Sequence, residues 1–322
     1  MKKILIVGAG GQIGSELVPH LRSIYGNSNV VAADISAEKC KALAEAGPFE
    51  ELNALDGEGF SAIVKKYNID TIFNLVALLS ATGEKNPKLA WDINIGALTN
   101  SLYIAKDNNC AVFTPSSIGA FGNDTPKDKT PQDTLQRSNT TIYGVCKVTG
   151  ELLSDYYFNR FGVDTRSVRF PGLISYVTLP GGGTTDYAVE IYYDAIRKGS
   201  FTCNVKEGTY MDMMYMPDAL NAVVQLMEAD PSKLKHRNSS NIASMSFEPE
   251  QIAAEIRKHL PDFKMDYQID PVKQAIANSW PNSMDDTCAR EEWGWAPKFD
   301  LTSMTNDMLI KVKEKFDKGL IK

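Results

Sequence analysis

Residues that build disulfide frameworks and metal centres are scarce in this sequence. The 322 residues include five cysteines and three histidines, and no two cysteines form a Cys-x-x-Cys pair. No histidine has a cysteine or carboxylate partner at the spacing of a known metal-binding motif. The scattered cysteines fit a reducing compartment, and we expect no metal to take part in the chemistry.

Long apolar runs and an excess of positive charge are also missing. No stretch approaches the roughly 18 apolar residues that cross a membrane, and the formal net charge is -6. A surface that is negative overall does not attract nucleic acid or an anionic membrane. The first apolar run begins at Ile4, which leaves no space for a targeting peptide. We therefore expect a cytoplasmic protein that acts on a small molecule.

The sequence does contain a regular alternation of short apolar runs and longer helical patterns. The apolar runs lie at residues 4–8, 30–33, 71–76, 111–115 and 165–170. Helices are predicted at residues 13–25, 58–67, 87–108 and 140–161. Strands that are apolar on both faces and alternate with helices form parallel sheets covered on both sides. The predicted fold class is α/β, with a doubly wound parallel Rossmann sheet.

The character of the chain changes after residue 172. A glycine-rich loop spans residues 179–186, and the apolar runs become fewer, although a helix at 217–227 and a strand at 241–245 are predicted. The helix at 217–227 has the composition to return to the first domain. We therefore predict a Rossmann domain of residues 1–172 plus 212–246. Residues 173–211 plus 247–322 would form a smaller C-terminal substrate-binding α/β region.

A glycine-rich turn at residues 8–14 links the first strand to the first helix. Gly8, Gly11 and Gly14 allow a tight turn and a close approach of the backbone to a pyrophosphate, whose charge the helix N-terminus attracts. Asp34 stands at the end of the second strand, where a carboxylate binds a ribose diol and repels a 2′-phosphate. The sequence thus predicts a dinucleotide site that prefers NAD to NADP.

The glycine spacing and a second acidic residue add detail to this site. The turn has the pattern Gly-x-x-Gly-x-x-Gly, which differs from the Gly-x-Gly-x-x-Gly of many dehydrogenases with separate catalytic domains. Asp56 follows the apolar stretch at 52–55, where a third strand would end, and its carboxylate can accept a hydrogen bond from an adenine amino group. A role as an ordinary loop aspartate fits Asp56 equally well.

Tyr143 and Lys147 are four residues apart on a predicted helix. Positions i and i+4 share one helix face, so the ammonium can lie near the phenol. A cation about 4 Å away, in a medium with an effective dielectric of about 20, favours the phenolate by about 4 kcal/mol. The pair alone would fit an interfacial tyrosine beside a solvated lysine. Downstream of a dinucleotide turn, it predicts a tyrosine that acts as a base.

Taken together, these residues resemble the extended short-chain dehydrogenase/reductase family over nearly the whole chain. The matching positions are Gly8, Gly11, Gly14, Asp34, residues 74–77, Ser116 with Ser117, Tyr143 with Lys147, and residues 169–172. Within that family, four further segments are similar to the NAD-dependent L-threonine 3-dehydrogenases of the short-chain type. These segments are residues 114–122, 169–175, 181–188 and 209–216.

The resemblance implies roles for individual residues. The expected catalytic residues are Ser117, Tyr143 and Lys147, where Ser117 is preferred to Ser116 because it lies five residues before Gly122. The expected NAD-binding residues are Gly8, Gly11, Gln12, Ile13, Gly14, Asp34, Asp56, Leu75, Ala77, Asn94, Tyr143, Lys147 and Pro171. The expected substrate-binding residues are Ser80, Ser117, Tyr143, Thr184 and Thr185. Trp280 would either border the substrate or belong to the core.

The implied reaction is oxidation of the β-hydroxyl of L-threonine to 2-amino-3-oxobutyrate, and the implied assembly is a homodimer. The two long helices at 87–108 and 140–161 would form the dimer interface, although Tyr156, Tyr157 and Phe158 could serve core packing instead. Two rival functions share the fold. One is an NAD-dependent nucleotide-sugar epimerase or dehydratase, and the other is a non-enzymatic NAD sensor.

Overall fold

The computed structural model describes residues 1–134, 140–179 and 181–321. The strands are β1 Ile4–Val7, β2 Val30–Asp34, β3 Phe49–Glu51, β4 Thr71–Asn74, β5 Ala111–Phe113, β6 Ser116–Ser117, β7 Thr165–Arg166, β8 Val168–Phe170, β9 Gly172–Ile174, β10 Ser200–Cys203, β11 Met211–Tyr215, β12 Ser240–Asn241, β13 Met245–Phe247 and β14 Lys264–Tyr267. The helices are α1 Gln12–Tyr25, α2 Lys41–Ala46, α3 Gly57–Tyr67, α4 Ser80–Gly83, α5 Pro87–Asn108, α6 Ile142–Phe161, α7 Tyr187–Lys198, α8 Met216–Glu228, α9 Pro249–His259, α10 Pro271–Ser279, α11 Thr287–Trp293 and α12 Leu301–Asp317. Two short 3₁₀ helices cover Asn27–Asn29 and Ile118–Ala120.

A six-stranded parallel sheet forms the centre of the N-terminal part. Its strand order is β3-β2-β1-β4-β5-β7, so β1 lies between β2 and β4. Alternate residues of β1 point to opposite faces: Ile4 and Ile6 belong to one core, whereas Leu5 and Val7 belong to the other. Helices cover both faces, which requires strands that are apolar throughout. The predicted doubly wound Rossmann sheet is confirmed.

The C-terminal part has a separate core and smaller sheets. Strands β10 and β14 form a parallel pair, and β9, β11 and β13 form a three-stranded sheet. Aromatic residues of α7, such as Tyr187 and Tyr192, pack there against Ile252 of α9 and Met304 of α12. The smaller C-terminal α/β region is therefore present. Helix α8 shares the core of the N-terminal sheet, since Val223 lies in the same cluster as Leu17 of α1.

Two predicted strands are wrong in detail. The run at 165–170 divides into β7, which joins the main sheet beside β5, and β8, which pairs with β6 and β12. Between them, the backbone N–H of Ser167 turns away to donate to the carbonyl of Arg237, at 3.0 Å. The run at 241–245 also divides, because β12 pairs with β8 and β13 pairs with β11.

The boundaries of the two domains, at residues 172, 211 and 246, remain a prediction.

Among the described residues, no helix combines the length and the apolar character that a membrane crossing requires.

Candidate active site

The candidate site is a cleft where the order of the sheet reverses. Strands β2 and β3 lie to one side of β1, whereas β4, β5 and β7 lie to the other. In open α/β sheets, ligands bind outside the carboxyl ends of the strands at this point. The cleft has a volume of about 440 Å³, and its lining includes Gly8, Gly10, Gly11, Gln12, Ile13, Gly14, Lys39, Leu75, Ala77, Ser80, Ser116, Ser117, Tyr143, Lys147, Pro171, Leu179, Thr184, Thr185, Asp186 and Trp280. The volume lies within the range of small-molecule sites.

The glycine turn leaves no space for side chains at two positions. Gly8 has a φ of +85°, and a Cβ atom there would lie 3.1 Å from the carbonyl carbon of Leu75. A Cβ atom on Gly14 would lie 2.4 Å from the carbonyl oxygen of Gly8. Real Cβ atoms do not approach as closely as the one at Gly14 would, and the positive φ of Gly8 is one that residues with a side chain rarely adopt, so both positions favour glycine. Helix α1 consequently packs directly against the turn, as a dinucleotide-binding turn needs.

The N-terminus of α1 opens into the cleft. Gly11 is its N-cap, and no described side chain caps the free backbone N–H groups. Gln12 and Ile13, in the first turn, line the cleft. Uncapped N–H groups and the positive end of the helix dipole favour a bound phosphate. The turn and this helix end therefore fit the pyrophosphate of a dinucleotide.

The two candidate aspartates have different surroundings. One oxygen of Asp34 accepts from the N–H of Gly10 at 2.8 Å, and the other accepts from Ser36 at 2.9 Å. Asp34 therefore lies directly against the glycine turn. Asp56 is the N-cap of α3 and accepts from the N–H of Gly59 at 3.0 Å. Neither aspartate is among the described residues that line the cleft, and strand β3 ends at Glu51, earlier than expected for Asp56.

The remaining predicted cofactor residues divide into two groups. Leu75, Ala77 and Pro171 line the cleft. Asn94 lies behind it: its amide accepts from the N–H of Leu78 at 2.7 Å and donates to the carbonyl of Leu78 at 3.2 Å. Asn94 thus fixes the backbone that follows β4, and it also borders a small buried cavity of about 30 Å³ next to Lys147.

Tyr143 and Lys147 lie together in the cleft, one turn apart at the start of α6. The hydroxyl of Thr141 caps this helix by accepting from the N–H of Gly144 at 3.0 Å. The ammonium of Lys147 lies 5.2 Å from the centroid of the Tyr143 ring and donates to the carbonyl of Pro115 at 2.6 Å. This anchor fixes the ammonium on the same side of the cleft as the phenol.

The structure distinguishes the two neighbouring serines. The hydroxyl of Ser116 donates to the buried carboxylate of Glu151, which forms a two-pronged ion pair with Arg169, both bonds 3.0 Å long. The hydroxyl of Ser117 accepts from the backbone N–H of Gly119 at 3.1 Å. Because Ser116 is engaged with Glu151, Ser117 is the better candidate to bind a substrate oxygen.

A second pair of hydroxyl groups also lies in the cleft. The side chains of Ser80 and Thr184 are both buried, and their oxygens are 3.3 Å apart. Thr185 and Trp280 also line the cleft. Trp280 is only 6% exposed and belongs to the C-terminal core, and its position beside the substrate stays a prediction.

Asp186 is a cleft residue that the sequence analysis missed. Its carboxylate accepts from the N–H groups of Gly182 and Gly183, at 3.0 and 2.7 Å. Burial raises the pKa of this carboxyl to about 6, although the two N–H donors oppose the shift. In the sequence, an aspartate directly before a helix resembles a simple N-cap. In the structure it brings a carboxylate to the end of the cleft that holds Thr184.

Comparisons with known proteins agree with this geometry. The model of the "NAD dependent epimerase/dehydratase family" matches residues 4–243. An uncharacterized epimerase/dehydratase from Staphylococcus haemolyticus is 58% identical over 315 residues, covering 98% of this chain and 99% of the relative. Among solved structures, an L-threonine dehydrogenase from Clostridium difficile is 57% identical, with a TM-score of 0.96 and 98% of both chains covered. A monomeric L-threonine 3-dehydrogenase from a metagenome is 44% identical, with a TM-score of 0.92 over 97% of this chain and 99% of that one.

The extent and level of these matches go beyond a shared fold. The family model spans the main sheet together with α8, and both solved relatives extend over the C-terminal region as well. The chain therefore belongs to the NAD-dependent epimerase/dehydratase family of extended short-chain dehydrogenases/reductases, and NAD is its cofactor.

Proposed function

We propose that this enzyme oxidises the β-hydroxyl of L-threonine to 2-amino-3-oxobutyrate. The observation that carries the proposal is the composition of the cleft. Ser117, Tyr143 and Lys147 line the same cleft as a buried carboxylate, Asp186, and the Ser80–Thr184 hydroxyl pair. The similarity to proteins described as L-threonine dehydrogenases supports the same assignment.

In the proposed mechanism, Tyr143 accepts the proton of the β-hydroxyl. Bound NAD would supply the acceptor for the hydride that leaves the same carbon. Ser117 donates a hydrogen bond to the substrate oxygen and orients it. The ammonium of Lys147 would stabilise the phenolate of Tyr143, and it lies within the cleft, where it would bind the nicotinamide ribose. Its bond to the Pro115 carbonyl keeps the ammonium in position throughout.

The cofactor contacts of the proposal follow from the same cleft. The backbone at Gly8, Gly11 and Gly14, with the first turn of α1 at Gln12 and Ile13, would hold the pyrophosphate. Asp34 would accept from the ribose hydroxyls, and Leu75, Ala77 and Pro171 would pack against the rings. Asp56 and Asn94 remain predicted contacts, and for Asn94 the proposed effect runs through the Leu78 backbone.

The charged ends of an amino acid need complementary partners in a buried site. Asp186 would bind the ammonium group of the substrate, because its carboxylate is fixed by two backbone N–H groups and lines the cleft. The hydroxyls of Ser80, Thr184 and Thr185 would donate to the substrate carboxylate. These contacts would place the β-carbon beside Tyr143 and Ser117.

A nucleotide-sugar epimerase or dehydratase would need cations to hold a diphosphate. Among the described residues that line the cleft, the cationic side chains are Lys39 and Lys147. Arg197, the single arginine of residues 173–216, bonds to Asp194 on the surface of α7 at 3.1 Å. An NAD sensor without activity would not need Ser117, Tyr143 and Lys147 together in one cleft.

The test is a turnover assay that follows NADH formation with L-threonine, L-serine and L-allo-threonine. A UDP-sugar is incubated separately and its products are analysed by chromatography, because an epimerase or dehydratase returns the hydride to its substrate and accumulates no NADH. We expect turnover with L-threonine and a loss of at least about 100-fold in kcat for Tyr143→Phe, since that change removes the base and keeps the shape. Tyr210→Phe, at an exposed tyrosine, is the control and should leave kcat unchanged. Near-normal turnover by Tyr143→Phe, or conversion of the UDP-sugar in place of L-threonine, would refute the proposal.

A further inference from the structure

A second chemical cluster lies outside the cleft. The ring of His236, the thiol of Cys288 and the carboxylate of Glu292 offer ligand atoms that all lie within 4.8 Å of one another. Cys288 and Glu292 are four residues apart on α11 and share one face of it. His236 comes from the segment that leads into β12. None of the three is among the described residues that line the cleft.

The carboxylate in this cluster is held in a fixed orientation. Oε2 of Glu292 accepts from the backbone N–H groups of Lys235 and His236, at 2.9 and 3.0 Å. Its other oxygen, Oε1, faces Nδ1 of His236 at 2.5 Å. The side chain of Glu292 is only 9% exposed. A carboxylate fixed in this way keeps one oxygen directed at the imidazole and loses little rotational freedom when it binds a cation.

The other ring nitrogen of His236 also has a carboxylate partner. Nε2 lies 3.3 Å from Oδ1 of Asp133. Histidines that bind a metal through one nitrogen commonly donate the other N–H to a carboxylate, which orients the ring and makes it a stronger ligand. The same arrangement is present here. The carboxylate of Asp133 lies beside one nitrogen of the His236 ring, and the other nitrogen faces the proposed metal position next to Cys288 and Glu292.

We propose that Nδ1 of His236, Sγ of Cys288 and Oε1 of Glu292 form a Zn²⁺ site, with water as the fourth ligand. Thiolate, imidazole and carboxylate are the ligand types that zinc takes, whereas Ca²⁺ and Mg²⁺ require oxygen ligands. Tetrahedral ligands at zinc are about 3.5 Å apart, given bond lengths of roughly 2.0–2.3 Å. On metal binding, the contact between Nδ1 and Oε1 would therefore have to open by about 1 Å through a shift of the His236 ring.

The position of the proposed zinc site indicates that the metal would stabilise the fold, because the site joins two segments that are distant in the sequence. Trp293, next to Glu292 on α11, donates through Nε1 to the hydroxyl of Ser240 at 3.2 Å. Ser240 belongs to β12, which pairs with β8 at Val168. A metal that joins His236 to α11 would fasten that helix to the same segment. We therefore expect zinc to raise the Tm of the protein without being required for hydride transfer.

The experiment uses the full chain, treated with a chelator and titrated with Zn²⁺ against a chromophoric competitor. We expect one zinc per chain in the wild type and in His259→Gln, a control at an exposed histidine of α9. Cys288→Ser and His236→Gln should lose at least about 100-fold in affinity, and Asp133→Asn about 10–100-fold. Co²⁺ substitution should give a thiolate-to-metal charge-transfer band that is absent in Cys288→Ser.

Two further readouts keep the test independent of folding and of the proposed function. NADH binding and circular dichroism establish that each variant is folded, and Zn²⁺ should raise the Tm of the wild type but not of Cys288→Ser. Failure to bind one zinc, equal affinity in Cys288→Ser, or a Co²⁺ complex without the thiolate band would overturn the proposal. Since none of these measurements uses L-threonine, the result does not depend on the substrate assignment.

Discussion

At the scale of single residues, Asp186 shows how burial and backbone donors act against each other. Removal from water disfavours the charged carboxylate, whereas the N–H groups of Gly182 and Gly183 favour it. Burial has the larger effect, so the pKa rises to about 6. The carboxylate of Asp186 is therefore mostly charged at neutral pH, and it becomes neutral at a mildly acidic pH at which enzyme kinetics can still be measured.

This balance predicts both a mutational effect and a pH effect. Asp186→Asn should raise the KM for L-threonine roughly 10–100-fold, because a charge-assisted bond to the ammonium contributes about 1.5–3 kcal/mol, while the KM for NAD stays within about twofold.

In the wild type, kcat/KM for L-threonine should fall as the pH drops through about 6, since protonation of Asp186 removes the negative charge. The variant should lack that decline. Initial-rate kinetics of the wild type and Asp186→Asn between pH 5 and 8 test both expectations. An unchanged KM for L-threonine in the variant would show that Asp186 does not contact the substrate ammonium.

Asp34 decides cofactor choice in the proposed function. Asp34→Asn retains an oxygen that can accept from the N–H of Gly10 but removes the charge that repels a 2′-phosphate. The ratio of kcat/KM for NAD to that for NADP should fall at least about tenfold. Rates with both cofactors at saturating L-threonine measure this ratio. A ratio equal to that of the wild type would show that the ribose lies elsewhere.

At the scale of elements, the helices and strands whose bounds can be predicted from sequence are those marked by residues close to their ends. Helix α5 was predicted with the ends that it has, because Pro87 stands in its first turn, where proline is tolerated. The side chain of Asn86 caps this end, and Asn109 ends the helix in the left-handed conformation. Strand β3 carries no such signal, since it is three residues long and half exposed at the edge of the sheet. The division at Ser167 depends on a partner 70 residues away, which no local pattern can indicate.

The Glu151–Arg169 pair connects three elements behind the cleft. Glu151 of α6 accepts from Ser116 of β6 and from Arg169 of β8, and both charged side chains are buried. Removal of one partner leaves an uncompensated buried charge, which typically costs 3–5 kcal/mol. Glu151→Gln should therefore lower the free energy of unfolding by about 3 kcal/mol and reduce kcat as β6 loosens beside Ser117.

Urea unfolding of Glu151→Gln tests this expectation. Lys88→Ala is a suitable control, because Lys88 pairs with Asp92 on the surface and is 86% exposed. Exposed pairs contribute about 0–1 kcal/mol, so the control should unfold nearly as the wild type does. Equal losses in the two variants would show that the buried pair does not hold these elements together.

At the scale of the whole molecule, the site depends on contacts between distant segments. The glycine turn, Asp34 and the Tyr143–Lys147 pair could be proposed from sequence because each depends on neighbours within one strand-helix unit. Asp186 reaches the cleft only because the C-terminal region folds against the sheet. The contact of His236 with Cys288 and Glu292 joins segments more than 50 residues apart, and spacing along the chain could not indicate it.

At the same scale, several large apolar side chains of α5 and α6 are exposed. Leu152 and Tyr156 lie one turn apart on α6 and are 63% and 53% exposed, and Trp91 and Tyr103 of α5 are also exposed. Large apolar side chains that are exposed on two packed helices are candidates for an interface. A second copy of the chain, related by a twofold axis, can cover this face with the same residues. The metagenomic L-threonine 3-dehydrogenase is described as monomeric, so the fold alone does not determine whether a chain of this family dimerises.

We therefore expect a homodimer with twice the chain mass of 35.5 kDa, measured by light scattering after gel filtration. Leu152→Glu would bury a charge at the centre of the interface, so this variant should run as a monomer at micromolar concentration. Ile310→Glu changes an equally apolar and exposed residue of α12 and should remain dimeric. If the wild type has the mass of one chain, the exposed face serves another purpose. If both variants remain dimeric, the interface lies elsewhere on the surface.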